Sequence, residues 1–399
     1  MDLDAFTGSA PGDLVAITGA DPVRGAWRHA AFVPHPLPED SPDLSAATYR
    51  AVADARAALA ALDSTARLLP NPRLLRRPSL QTEAQSTSAL EGTYAPLRDV
   101  LVADDLQPPT QDLREVLNYV DMADSAYGEM EQGRSLTVAM LGALQAILVR
   151  GTSSETSGSG DVRKGQVVVG RRSDAAPNAL PVHAARFVPA PPGLDLRARV
   201  QDLLDWMHRS RELDIDPVVA SAMAHYQFEA LHPFHDGNGR IGRLLIVVHL
   251  MQQGVLSEPT LTVSPWFEAR RTEYDDRLFA VSAEGAWDPF VRFFAAGLEA
   301  SAQRTHDQML GLVSVQHRLR ERVRNSTLRA ENAQLLVDYA VGHPSFTVRA
   351  VERDLGVSYG RANGLIGQLV QLGILQVLAA GSGRRFYAPD VLDVLTTSA

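Results

Sequence analysis

Twelve consecutive residues, His232-Pro233-Phe234-His235-Asp236-Gly237-Asn238-Gly239-Arg240-Ile241-Gly242-Arg243, run straight into the apolar stretch Leu244-Leu245-Ile246-Val247-Val248-His249-Leu250-Met251, which ends before Gly254. The apolar stretch has no polar stripe, so a helix built from it must be covered on every side. This is the strongest constraint on the fold: a buried helix that starts at the glycine turn, with other elements packed around it. The same turn has a chemical consequence. A Gly-rich turn opening onto a helix offers unbonded backbone N–H groups and the positive end of the helix dipole, and both favour an anion such as a phosphate.

The remainder of the sequence limits what surrounds that helix. The 399 residues suffice for two or three domains with a sizeable core. A net charge of −9 argues against nonspecific nucleic-acid binding by the whole molecule, though not against one local basic patch. There are no cysteines, which excludes disulfides and thiolate metal sites. Met1-Asp2-Leu3-Asp4 is acidic with no apolar segment after it, and no run is long enough to span a membrane, so the expectation is a cytoplasmic chain without a membrane partner.

In chain order the pattern is mainly α. Residues 1–43, rich in Pro, Gly and Asp, read as an irregular, partly packed arm. An Ala-rich helix is predicted over 48–68, then a break at Pro70-Asn71-Pro72. A second helix is predicted to start at Pro78 and end near Glu91, with Gly92 as its stop. Further helices read over 113–130, 136–149, 194–213 and 217–231. Between them lie a flexible Ser/Gly loop, 151–160, and a short edge hairpin whose strand is Gln166-Val167-Val168-Val169-Gly170. After the central helix, segments around Tyr274 and from Pro289 to about 323 are helical. Residues 326–399 form a separate unit. Helices over 334–341, 348–355 and 359–372 are followed by a hairpin across Ala380-Gly381-Ser382-Gly383, the pattern of a winged helix-turn-helix.

The chemistry of the organising stretch follows from its residue types. Backbone N–H groups of Gly237, Asn238 and Gly239 would hold phosphate oxygens. Arg240 and Arg243 project from neighbouring positions on the first turn, and two guanidinium forks suit a polyphosphate. Asp236 could hold Mg²⁺ against those oxygens. His232, with a reference pKa of about 6.5, suits proton removal from an attacking hydroxyl. Each part has a bland reading: a lone Gly-Asn-Gly is usually a turn, and a lone His before Pro is usually a loop histidine. A metal-dependent phosphohydrolase built on His235-Asp236 and His225 is disfavoured because a glycine turn follows the dipeptide at once. The joint occurrence at fixed spacing points to phosphoryl or nucleotidyl transfer.

Residues 232–243 resemble the signature of the Fic (filamentation induced by cAMP) domain family. The preceding Ala224-His225-Tyr226-Gln227-Phe228-Glu229-Ala230-Leu231 and the downstream 264–268, 273–278 and 287–290 resemble flanking parts of the same domain, so the likeness covers roughly residues 45–300. The resemblance implies a Fic-type helical bundle with a short β-hairpin flap. It also implies transfer of AMP from ATP to a protein Ser, Thr or Tyr hydroxyl, with pyrophosphate leaving. His232 would be the base, Asp236 the Mg²⁺ ligand, and Gly237 to Gly239 with Arg240 and Arg243 the phosphate site, with Tyr274 at the ATP. Residues 166–169 would be the flap that aligns the target segment. Thr87-Ser88-Ala89-Leu90-Glu91-Gly92 resembles the family's inhibitory motif, with Glu91 set to take the place of the γ-phosphate at Arg243 and Thr87 as the motif's hydroxyl residue. Its place before the catalytic motif resembles the class (class II) whose inhibitory helix is N-terminal to the Fic core.

The domain expectation is therefore an N-terminal arm, 1–110, with the inhibitory helix at about 78–92; a Fic core, 111–300; a connecting helix, 301–325; and a winged helix-turn-helix domain, 326–399. For the last, a structural or interaction role, including dimerisation, ranks ahead of DNA binding through Arg361, Asn363, Gln368, Arg384 and Arg385. Two alternatives stay open beside adenylyl transfer: a DNA-binding regulator whose Fic core senses nucleotide, and the reverse reaction, with Glu91 positioning water to remove AMP.

Overall fold

The computed structural model describes residues 1–68, 73–103, 110–326, 328, 331–378 and 384–397. The break at Pro70-Asn71-Pro72 and the wing tip Ala380-Gly381-Ser382-Gly383 lie outside the described residues. Contacts divide the chain into two compact units. One comprises Met1–Ala57, Asp121–Leu256 and Ala269–Glu299; the other comprises Ala58–Val120, Ser257–Glu268 and Ala300–Ala399.

The elements run in the order β1 (Gly12–Asp21), β2 (Gly25–Pro34), α1 (Ala46–Leu68), α2 (Arg73–Leu90), α3 (Leu97–Val102), α4 (Gln111–Glu131), α5 (Val138–Val149), β3 (Val169–Arg171), α6 (Pro181–Ala184), β4 (Ala185–Phe187), α7 (Leu194–Arg209), α8 (Pro217–Leu231), α9 (Asn238–Gln252), α10 (Ser264–Glu268), α11 (Arg271–Glu284), α12 (Trp287–Arg324), α13 (Glu331–Gly342), β5 (Phe346–Thr347), α14 (Val348–Leu355), α15 (Tyr359–Gln371), β6 (Gln376–Leu378), β7 (Arg385–Tyr387) and α16 (Pro389–Thr397).

The first unit is built around α9, whose residues from Asn238 to Leu250 are all buried. Helix α8, equally apolar, packs along it, with α5 and α7 beside them. Ile241, Leu244 and Val248 in α9 and Val218, Met223 and Phe228 in α8 are fully covered. Each such side chain contributes roughly 1.5–3 kcal/mol relative to an exposed one. Asp216 caps α8 by accepting from the Val218 N–H at 2.8 Å, and Pro217 takes the first-turn position.

Here the N-terminal expectation fails. Residues 12–34 are not an irregular arm but an antiparallel hairpin of two ten-residue strands, in register from Gly12 opposite Pro34 to Asp21 opposite Gly25. Asp21 Oδ1 accepts from the Val23 and Arg24 N–H groups, and Gly25 at φ 79° closes the turn. Proline and glycine punctuation hid this hairpin, but its far end is core. Phe32 is fully buried between Phe6 and Phe187, and its N–H donates to Val188 O at 2.9 Å. The Ser/Gly loop 151–160 is also held rather than loose. Gln145 Oε1 accepts from the Gly160 N–H at 2.7 Å, and a Cβ at Gly142 would lie 2.2 Å from Gly160 O.

In the second unit α2 begins five residues before Pro78, which sits inside the helix rather than at its start. At the sixth helical position Pro78 lies beyond the first four residues, so it removes one i→i−4 hydrogen bond from the helix. Helix α2 packs against α3, α10 and α13. Its end is as expected: Glu91 is exposed in the turn after Leu90, and Gly92 has φ 94°. The C-terminal elements also match the predicted boundaries closely. Thr347 and Ser358 cap α14 and α15 through the Ala350 and Arg361 N–H groups, and Gly356 in the left-handed region ends α14. Three short strands form one antiparallel sheet in the order β5-β7-β6.

Candidate active site

Between α8 and α9 the chain makes one tight corner. His232 closes α8 with φ 50° and ψ 61°, and it is the only non-glycine residue at positive φ among those described. Such a conformation costs about 1–3 kcal/mol and persists only where the surroundings impose it. Gly237 opens α9 at φ 85°; a Cβ there would also meet Leu148 Cδ2 at 2.6 Å, so only glycine serves. Asn238 pins the corner from inside. Its Oδ1 accepts from the Phe234 N–H and its Nδ2 donates to Phe234 O, each at 2.8 Å. The Asn238 side chain is thus a brace, and only its backbone N–H is placed for an anion. Phe234 itself is buried beneath it.

Asp236 is half-exposed and faces Arg240. Its Oδ2 accepts from Arg240 Nη2 at 3.1 Å and its Oδ1 from the Gly237 N–H at 2.8 Å. Burial alone would raise its pKa, but Arg240, the Ser154 hydroxyl and the Gly237 N–H together hold it below the usual carboxylate range. The Gly237 N–H is therefore engaged by Asp236 rather than left for a phosphate, and the anion donors reduce to the first-turn groups of α9. Arg240 and Arg243 are both almost wholly buried, which strengthens whatever charge they meet.

Behind Arg243 lies a polar chain that the sequence does not announce. His225 is fully buried, with Nδ1 3.1 Å from Gly242 O and Nε2 2.7 Å from the Tyr274 hydroxyl. A carbonyl can only accept, so Nδ1 carries the proton and Nε2 accepts from Tyr274. Burial, aided by Arg243, holds the His225 pKa down to about 3. Burial likewise pushes the Tyr274 hydroxyl well up, while Arg243 donates to it. Tyr274, expected at the ATP, is itself buried against His225 and Arg243.

The flap is shorter than expected. Its ladder pairs Val169 with Phe187 and Arg171 with Ala185, so Gln166, Val167 and Val168 precede the strand instead of forming it. Gln166 Nε2 donates to Pro189 O at 2.9 Å and anchors that approach segment. Arg186 of β4 pairs with Asp276 of α11, fixing the hairpin on the helices of its own unit.

Sequence reasoning missed Arg163. Its side chain is fully buried, with Nε 2.8 Å from His232 O, Nη1 3.1 Å from Gly165 O and Nη2 on Ala190 O and Leu231 O; its backbone N–H donates to Pro233 O at 2.9 Å. Nothing local marks a lone Arg between Val162 and Lys164 as buried. Only the fold brings it to a residue 69 positions away.

For Mg²⁺ the donor set fits in one way. The described residues contain no group of three or more His, Cys, Asp or Glu poised for a metal. A single ionised, half-open carboxylate at Asp236, beside donors suited to phosphate, matches a cation that takes its other ligands from phosphates and water. No helix of the described residues is long and apolar enough to cross a membrane.

Parts of this chain are similar to known proteins. Residues 49–128 match the family model described as Fic/DOC family N-terminal, and residues 135–250 match that of the Fic/DOC family. The protein adenylyltransferase fic-1 of Caenorhabditis elegans is 37% identical over 123 residues, 31% of this chain and 23% of that protein. The protein adenylyltransferase Fic of Aedes aegypti is 38% identical over 114 residues, 29% of this chain and 21% of that protein. The chain thus spans less than a quarter of the length of these curated relatives. A Fic family protein from Desulfovibrio desulfuricans G20 shares the fold, with a TM-score of 0.52 at 22% identity over 87% of this chain and 97% of that one.

Proposed function

We propose that this chain, which carries a Fic N-terminal and a Fic domain, is a protein adenylyltransferase that moves AMP from ATP to a hydroxyl side chain of a protein. The observation that carries the reading is the corner between α8 and α9. Within twelve residues it holds a half-buried histidine, an ionised carboxylate, two buried guanidiniums and the N-terminus of a buried helix. The names of the adenylyltransferase relatives aligned over this region support it.

In this reading His232 takes the proton of the attacking hydroxyl. The new bond forms at the α-phosphorus, the bond to the β-phosphate oxygen breaks, and pyrophosphate leaves. Arg240, Arg243 and the Asn238 and Gly239 N–H groups stabilise the charge that builds on the phosphate oxygens. Tyr274 and His225 hold the Arg243 guanidinium at its angle rather than touching ATP. Mg²⁺ held by Asp236 would neutralise phosphate charge when bound. Residues 166–169 with the edge of β3 would align the target segment by backbone pairing.

Glu91 is proposed as an inhibitory carboxylate, with Thr87 in the same motif. What supports this is the motif itself, placed where α2 ends and Gly92 turns the chain. A winged helix is proposed for 326–399, acting in interaction or dimerisation ahead of DNA binding; the succession of α13, α14, α15 and two short strands supports it.

Incubation with labelled ATP tests the whole reading. Wild type should label weakly, Glu91→Gly more strongly and His232→Ala not at all. Equal labelling by His232→Ala and wild type would remove His232 as the base, and equal rates for Glu91→Gly and wild type would remove Glu91 as the inhibitor.

A further inference from the structure

The guanidinium of Arg163 is buried with only carbonyl oxygens as hydrogen-bond partners. Burial lowers its pKa to about 10, which still leaves it charged at neutral pH. A cation taken from water without a carboxylate carries a penalty of several kcal/mol. An apolar side chain of similar length would fill the space without that penalty, so packing does not explain the residue. Its partners do. Leu231 O, His232 O and Pro233 O are the carbonyls at the C-terminal end of α8, where a helix leaves acceptors without intrahelical donors and carries partial negative charge. Arg163 meets all three, and it is there that His232 departs into the left-handed conformation.

The other two contacts point elsewhere. Gly165 O lies on the approach to β3, and Ala190 O lies just after β4. Gln166 reinforces the same junction through Pro189 O. One guanidinium therefore joins both legs of the flap to the backbone of His232.

We propose that Arg163 is the positioning residue through which the flap sets the geometry of His232, so that a target segment paired along the flap also fixes the base that must deprotonate it. The fork shape is required, because three carbonyl directions are met at once by Nε, Nη1 and Nη2. Lysine keeps the charge but offers a single point. This rests on the reading of His232 as the base.

The test compares Arg163→Lys, Arg163→Ala, Gln166→Ala and the Arg163→Lys/Gln166→Ala double variant in the 399-residue chain carrying Glu91→Gly. Single-turnover self-labelling is measured alongside the Kd of a non-hydrolysable ATP analogue. Both Arg163 variants should slow transfer by about 10²-fold while the analogue Kd stays within about twofold, the signature of a misplaced group rather than a lost binding contact. Millimolar guanidinium should restore part of the Arg163→Ala rate and none of the Arg163→Lys rate. The double variant should be no slower than Arg163→Lys, since both changes cut one linkage. Arg163→Lys at the parent rate, or a parallel loss of analogue affinity, overturns the proposal. If the Arg163 variants do not fold, Gln166→Ala decides: a several-fold slower rate at unchanged affinity supports the linkage, and the parent rate overturns it. Labelling that survives His232→Ala would instead strike the underlying reading.

Discussion

Helices α9 and α2 are both buried along most of their length, yet they are made of opposite materials. Beyond its polar start at Asn238, Arg240 and Arg243, which is also buried, helix α9 is Leu, Ile and Val around His249, and apolar area accounts for most of its coverage. Among its described side chains helix α2 buries Ser79, Gln81, Thr82, Glu83, Ser86, Thr87 and Ser88 beside Pro78, Leu80, Ala84, Ala89 and Leu90. Its side chains are held by specific bonds. Gln81 donates to Val100 O at 3.1 Å, Thr82 to Pro78 O, and the Glu83 carboxylate accepts from the Ser264 N–H at 3.0 Å and from the Ser264 hydroxyl. Net hydrogen bonds contribute about 1 kcal/mol each, so α2 depends on single polar contacts where most of α9 depends on apolar area.

The sharpest break in that contrast is chemical. Arg243→Ala should lower transfer about 10²–10³-fold, because it removes a charged donor near the N-terminal end of a buried helix. Single-turnover labelling reads this directly, and a loss under about tenfold would take Arg243 out of the phosphate site. Next comes packing beneath the corner. Phe234→Ala should destabilise the protein by about 3–5 kcal/mol in urea unfolding, the usual result for a buried phenylalanine. A value under about 1 kcal/mol would mean that the corner is not part of the α9 core.

Acid separates α2 from α9 and its neighbour α8, which carry His249 and His225. Burial, with Arg243 adding to it, holds His225 down to about 3, and burial holds His249 down to about 4. Both values lie below the free-histidine pKa of about 6.5, so the unfolded chain binds more protons in between. This stability is fully present above about pH 6.5 and is lost as pH falls toward the folded values, on the order of several kcal/mol. Unfolding midpoints should drop from pH 7 to about pH 4.5, and His249→Asn should flatten the slope. Helix α2 contains no histidine, so it adds nothing of this kind. The smallest effect belongs to the α2 clamp. Glu83→Ala orphans the buried Ser264 donors at a cost of about 1–3 kcal/mol and should raise labelling a few-fold, in the direction of Glu91→Gly. Lower labelling would count against α2 as an inhibitory element.

The same contrast explains what the sequence made legible. Helix α9 and its corner were readable because apolar pattern, glycine turn and reactive residues are contiguous in 232–254. The end of α2 was readable from Leu90-Glu91-Gly92, but its burial was not, since Ser, Thr and Gln look like surface until their partners are known. The 12–34 hairpin was obscured by turn residues spread through a short segment. His225, Tyr274 and Arg163 gain their roles only by meeting residues far along the chain, and no spacing rule announces that.

The central claim is adenylyl transfer at the corner between α8 and α9. The most direct test incubates the Glu91→Gly chain with ATP labelled at the α-phosphate or at the γ-phosphate, beside the same pair with His232→Ala added. Label should stay on protein from the α position only and vanish with His232. Label retained from the γ position, or α label that survives His232→Ala, would contradict it.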